Sequence, residues 1–77
     1  MAESMTFENM LARNIREKRE ALGITRQELT RRLGCSHGQP YFWENAVAAP
    51  GAWSLCLLAD EFGCTVDELL GRSGKDG

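Results

Sequence analysis

A chain of 77 residues has room for one domain and a modest core, and its 43% apolar content is that of a globular protein rather than a disordered one. The net charge of −2 is far from the strongly basic balance of a committed polyanion binder. No apolar run approaches the ~20 residues needed to cross a bilayer, and the N-terminus lacks the basic-then-apolar order of a signal peptide, so no membrane and a cytoplasmic location are expected.

Residues 1–5 are expected to be a flexible N-terminus, with the folded domain at 6–71. The first helix is expected over residues 6–22, with Thr6 as its cap and Met5 and Met10 as a hydrophobic staple. Phe7, Leu11, Ile15 and Leu22 recur at helical spacing and define its buried side, and Gly23 ends it. Thr25 and Glu28 then have the Thr-x-x-Glu spacing in which each side chain satisfies a free amide at a helix start. Ile24 and Leu29 flank that cap, Leu29 and Leu33 form an inner stripe, and Gly34 stops the second helix.

Ser36 offers a further cap signal, Ser-x-x-Gln, but Pro40 conflicts with a third helix starting there. The amide of residue 40 would be the first to bond back, to the carbonyl of Ser36. Proline has no such amide, and inside a helix the loss is about 3 kcal/mol. Proline is comfortable as a first helical residue, so the helix is expected to start late, with Gln39 near the cap and residues 36–39 in an extended turn. Residues 46–50 must leave helix before Pro50. A fourth helix is expected over residues 52–62 between Gly51 and Gly63. Thr65 and Glu68 repeat the Thr-x-x-Glu cap for a short fifth helix ending near Gly71, with Val66, Leu69 and Leu70 inward, and residues 72–77 are expected to be a disordered tail. No strand signal or repeat appears. A helix, a glycine turn and a second helix form a helix-turn-helix, whose second helix can enter a DNA groove.

Charge is unevenly divided. Residues 13–45 carry Arg13, Arg16, Lys18, Arg19, Arg26, Arg31 and Arg32 against Glu17, Glu20, Glu28 and Glu44, a net +3, whereas residues 46–77 carry a net −3. Such asymmetry fits a module that offers one face to phosphate, and equally an ordinary solvated helix surface in which acids neutralise neighbouring bases. Cys35, Cys56 and Cys64 are odd in number and show no Cys-x-x-Cys spacing, which points to three small buried hydrophobes rather than a disulfide framework or zinc site. A site built from Cys35, His37 and a third cysteine would have to gather ligands from opposite ends of the fold. One histidine, with no paired-carboxylate or Ser/His/Asp constellation, argues against an enzyme, and no cofactor is expected.

Residues 14–70 resemble the lambda-repressor-like, or Cro/C1 (XRE), helix-turn-helix family. The resemblance rests on Ile15-Arg16 with Lys18-Arg19, Gly23-Ile24-Thr25, Glu28-Leu29, Leu33-Gly34, Ser36, Trp43-Glu44-Asn45, Pro50, Leu55, Leu58-Ala59, Phe62-Gly63 and Asp67-Glu68-Leu69-Leu70, in order and without a gap. It implies an all-α, five-helix lambda-repressor-like bundle that docks on double-stranded DNA as a two-fold dimer, with the third helix in the major groove. By the same resemblance Arg26, at the opening of the second helix beside Gln27, grips phosphate, with Arg13 or Arg16 assisting. Asn45 lies where backbone contacts follow the third helix. The family's frequent Gly-Lys or Gly-Arg is replaced by Ala46-Val47, which removes one phosphate contact. The base-reading places, opened by Ser36, fall on His37, Gly38 and Phe42, with Gln39 nearby. Gln can read adenine and His can donate to guanine, whereas Gly38 offers nothing and Phe42 only contact with a thymine methyl.

Trp43 matches a core place, but Tyr41, Phe42, Trp53 and Leu57 stand where the family carries polar or charged residues. With Val47 they are expected to form an exposed apolar patch and a contact surface, most simply for a homodimer; the other reading folds the C-terminal tail over Trp53. Two functions follow: a small dimeric DNA-binding repressor, or the same fold converted into a protein-interaction module with little DNA binding.

Overall fold

The computed structural model describes residues 7–72. The expected Thr6 cap, the Met5 side of the staple, the burial of Phe7, the loose N-terminus at 1–5 and residues 73–77 of the tail lie outside the described residues. At the start of that tail, expected to be disordered over 72–77, the Arg72 amide donates to the Asp67 carbonyl at 2.7 Å. Five helices follow in order: α1 (Phe7–Ala21), α2 (Arg26–Leu33), α3 (Gln39–Glu44), α4 (Ala52–Phe62) and α5 (Val66–Leu69). There is no strand among the described residues.

Local chemistry accounts for most boundaries. Thr25 and Thr65 both accept a hydrogen bond from the amide three residues on, Glu28 and Glu68 respectively. Around α5 the reciprocal bond is also made, from the Thr65 amide to Glu68 Oε1 at 2.8 Å. Around α2 it is not, which corrects the expected two-way cap: the Glu28 carboxylate turns instead to Arg31 and Arg32. A charged partner outweighs a backbone amide where both are in reach. Gly34 takes φ 67°, and its amide bonds to the carbonyls of Thr30 and Arg31, closing α2. The bounds of α4 are those read from Gly51 and Gly63.

The third helix starts late, as Pro40 requires. His37 and Gly38 form a turn closed by the Gln39 amide on the Ser36 carbonyl at 3.1 Å, and the Phe42 amide then bonds to Gly38 at 3.1 Å. Two details differ from the sequence reading. Gly38, at φ 89°, is the residue before the helix, so Gln39 is already helical, and the turn is tight rather than extended. Ser36 makes no cap through its side chain. Pro40 itself is fully buried.

Leu11, Ile15, Leu29, Trp43, Leu58, Ala59 and Leu69 form the core, and Ile24, Leu33, Leu55 and Phe62 pack against it. Every helix contributes at least one of these residues, so the short α3 and α5 are held by tertiary packing rather than by helix propensity. Leu22 is exposed, contrary to expectation, because α1 ends at Ala21 and Leu22 falls in the turn. The cysteines also depart from expectation: Cys35 and Cys64 are half-buried, with burial pushing both thiols up, and Cys56 is exposed. All three are free, and no group of metal-ligating side chains occurs among the described residues.

Candidate nucleic-acid interface

A buried carboxylate organises the junction of α1, α2 and α3. The Glu44 side chain is 1% exposed and accepts from Arg19 twice, Nε at 2.7 Å and Nη2 at 3.2 Å, and from Arg26 Nη1 at 3.1 Å. Arg19 also donates to the Ile24 carbonyl at 2.8 Å, which ties the turn between α1 and α2 to the same cluster. The hydrogen bonds Arg19 donates to Glu44 raise its guanidinium above its ordinary range. Glu20 lies 3.9 Å from Arg19 as a looser second carboxylate, so the two arginines face two acids, and the exposed cation of the cluster is Arg26.

Arg26 is 44% exposed, so its tie to Glu44 orients it without hiding it. Its guanidinium carbon lies 5.5 Å from the centre of the Tyr41 ring, within cation–π reach. Tyr41 in turn meets Phe42 edge to face, centroids 6.0 Å apart. A shallow groove runs between the start of α2 and the start of α3, lined by Arg26, Gln27, Thr30, His37, Gly38, Pro40 and Tyr41. Arg26, Gln27, His37 and Gly38 are thus brought together. Phe42 stands beside them, since a Cβ built on Gly38 would lie 3.9 Å from its ring. Ser36 and His37 are exposed and Gln39 is half-buried. Asn45 is exposed, but its side-chain amide donates to the Tyr41 carbonyl at 2.8 Å and closes α3.

The basic edge beside Gly34 is smaller than charge counting suggests. Glu28 accepts from both Arg31 and Arg32, and Arg32 also donates to Glu61 of α4 at 2.8 Å. Those four groups cancel and pin α2 to α4. The Arg31 and Arg32 hydrogen bonds hold the Glu28 carboxyl below the usual range. Arg13 sits 3.9 Å from Glu17, a loose exposed pair. Arg16 is exposed and makes no ion pair among the described residues. Asn14, two positions back and therefore about 200° around the helix, bonds the Leu69 carbonyl of α5 at 2.8 Å, so Arg16 points away from α5.

Of the expected contact patch, Trp53 is 76% exposed and Val47 is exposed, while Leu57 is half-buried, which corrects its place in that patch. Tyr41 and Phe42 are 50% and 40% exposed. Ala46 sits at φ 56°, the left-handed region that glycine fits without strain. The spacing-based reading missed Arg19 and Glu44 as one unit and Tyr41 as the support of Arg26. The available signal was Arg19 falling four residues after Ile15, on the apolar stripe of α1.

Five helices, a glycine-turned α2–α3 pair and a half-exposed arginine at the start of α2 define a helix-turn-helix DNA-binding domain, a regulatory and not an enzymatic class. Residues 15–69 match the helix-turn-helix family HTH_3, and the chain belongs to this Cro/C1-type (XRE) family. Searches of curated proteins and of solved structures found no match. No helix is long and apolar enough to cross a membrane among the described residues.

Proposed function

We propose that this chain is a small cytoplasmic repressor that binds the major groove of its operator as a homodimer. The observation that supports it is the groove between α2 and α3, where Arg26, Gln27, His37 and Gly38 converge and Arg26 is held outward by Glu44 and Tyr41. In this reading Arg26 and Arg16 hold phosphate, with Arg13 a weaker contributor once it leaves Glu17. Gln27 and Ser36 make polar contacts at the backbone, and the amide side of Asn45 faces a phosphate after α3. His37 and Gln39 read base edges, while Gly38 lets the backbone approach closely. Trp53 and Val47 form the two-fold contact, which sets two half-sites about one helical turn of DNA apart.

A second reading, the same fold acting as a protein-interaction module, draws on the pairing of Arg13, Arg31 and Arg32 with carboxylates, which removes cations from the surface. Fluorescence anisotropy with random-sequence duplex separates the two. The repressor reading expects binding at low salt, weakened to a similar degree on every sequence by Arg26→Ala, with light scattering reporting a dimer that Trp53→Ser dissociates. No binding to any duplex at low salt supports the interaction module.

A further inference from the structure

Resting on that proposal, we infer that the reading head has an aromatic part beside its polar one and selects thymine in the major groove, with Phe42 against the C5 methyl and Tyr41 as its positioning residue. Gln27, Thr30 and His37 line the groove with polar side chains beside Arg26, which is shared with Glu44. Gly38 has no side chain, Asn45 gives an amide hydrogen to the Tyr41 carbonyl, and Gln39 is half-buried in the first turn of α3. Beside them a pair of rings stands open. Phe42 lies beside the bare Gly38, so a base edge approaching that turn meets the ring rather than a side chain at position 38. Tyr41 meets Phe42 edge to face and also carries the Arg26 guanidinium within cation–π reach. That stack puts a fixed cation one ring away from an apolar edge. A phosphate on Arg26 and a methyl on Phe42 are matched by duplex DNA, in which the two recur at fixed separation.

Thymine alone among the four bases presents a methyl group in the major groove. Guanine offers two acceptors there, for which Phe42 has no donor, and cytosine and adenine would lose a water from the exocyclic amine without replacement. Aromatic contact therefore discriminates by what it cannot satisfy as well as by what it covers.

The test selects bound sites from a random duplex pool and replaces thymine by uracil, which removes only the methyl, at each selected position in turn. The expected result is one thymine position per half-site where uracil weakens binding about four-fold, the worth of burying one methyl group. Phe42→Ala should bind thymine and uracil sites equally while Phe42→Leu keeps the preference. Tyr41→Ala should shrink the preference and weaken binding to all sites by releasing Arg26. Both rings are substantially exposed, so folding of each variant is checked by circular dichroism. Uracil binding as well as thymine everywhere, or an undiminished preference in Phe42→Ala, overturns the inference while leaving DNA binding intact. Absence of binding to the entire pool overturns the repressor proposal and this inference together.

Discussion

Replacing Glu44 by alanine removes the one carboxylate that Arg19 and Arg26 share. The two arginines are not equivalent. The Arg19 side chain is 11% exposed and cannot turn to water without opening the α1–α3 contact, whereas Arg26 swings outward freely. Without Glu44, Arg19 keeps, among the described residues, only the Ile24 carbonyl and the exposed Glu20 at 3.9 Å. Breaking a buried pair costs about 3–5 kcal/mol. A chain of 77 residues has a total stability of about 4–12 kcal/mol. Glu44→Ala should therefore sit near the unfolding threshold, with a midpoint lowered by at least ~12 °C at ~4 °C per kcal/mol. Urea and thermal melts followed by circular dichroism measure this. Arg26→Ala should cost below ~1 kcal/mol, as half-exposed pairs do. Replacing both Arg19 and Glu44 by Met and Leu should recover most of the loss, since packed apolar residues substitute well for a buried pair. A Glu44→Ala cost below ~1 kcal/mol, or equal costs for Arg19→Ala and Arg26→Ala, would refute this account of the junction.

The remaining predictions concern caps, backbone and pH. Thr25→Ala and Thr65→Ala should each destabilise by ~1 kcal/mol, whereas Ser36→Ala should be near neutral in the same melts because its hydroxyl caps nothing. Ala46→Gly should stabilise by about 0.5–1 kcal/mol by relieving the left-handed strain at φ 56°; a destabilised variant would show the strain is absent. The Glu28 carboxyl is held below its ordinary range in the folded state, so its contribution is present above the unfolded carboxylate pKa and is lost as pH falls through the lowered value. The stability difference between the parent chain and Glu28→Gln should accordingly shrink in acid, and a constant difference from neutral to acid pH would contradict the linkage.

Much of the fold is legible in the sequence because it is written locally. Thr25 and Thr65 cap within three residues, Gly34 and Gly63 stop their helices in place, and Pro40 forbids the amide bond an early α3 needs. The junction at Glu44 is not legible in that way. Arg19 and Glu44 are separated by 25 residues, and no local pattern distinguishes them from the solvated pairs Arg13–Glu17 and Glu28–Arg31. Charge counting left a phosphate-facing side and a self-neutralised surface equally open for the same reason: Glu61, which neutralises Arg32, lies far along the chain on α4. The proposed reading residues His37, Gly38 and Phe42 rest on register with a family. That His37 and Gly38 share a groove with Arg26 and Tyr41 is something register does not specify.

The salt dependence of duplex binding is the most direct test of the central claim, that a small set of exposed cations, Arg26 at the α2–α3 groove and Arg16 on α1, engages DNA phosphate. With Arg16 and Arg26 each releasing about one counterion at ~0.9 per phosphate contact, log K should fall with log salt at a slope near −2 per protomer and about −4 for the dimer. Arg26→Ala should reduce that slope by about one per protomer. Affinity that does not change with salt, or no binding at ~50 mM salt, would contradict the claim.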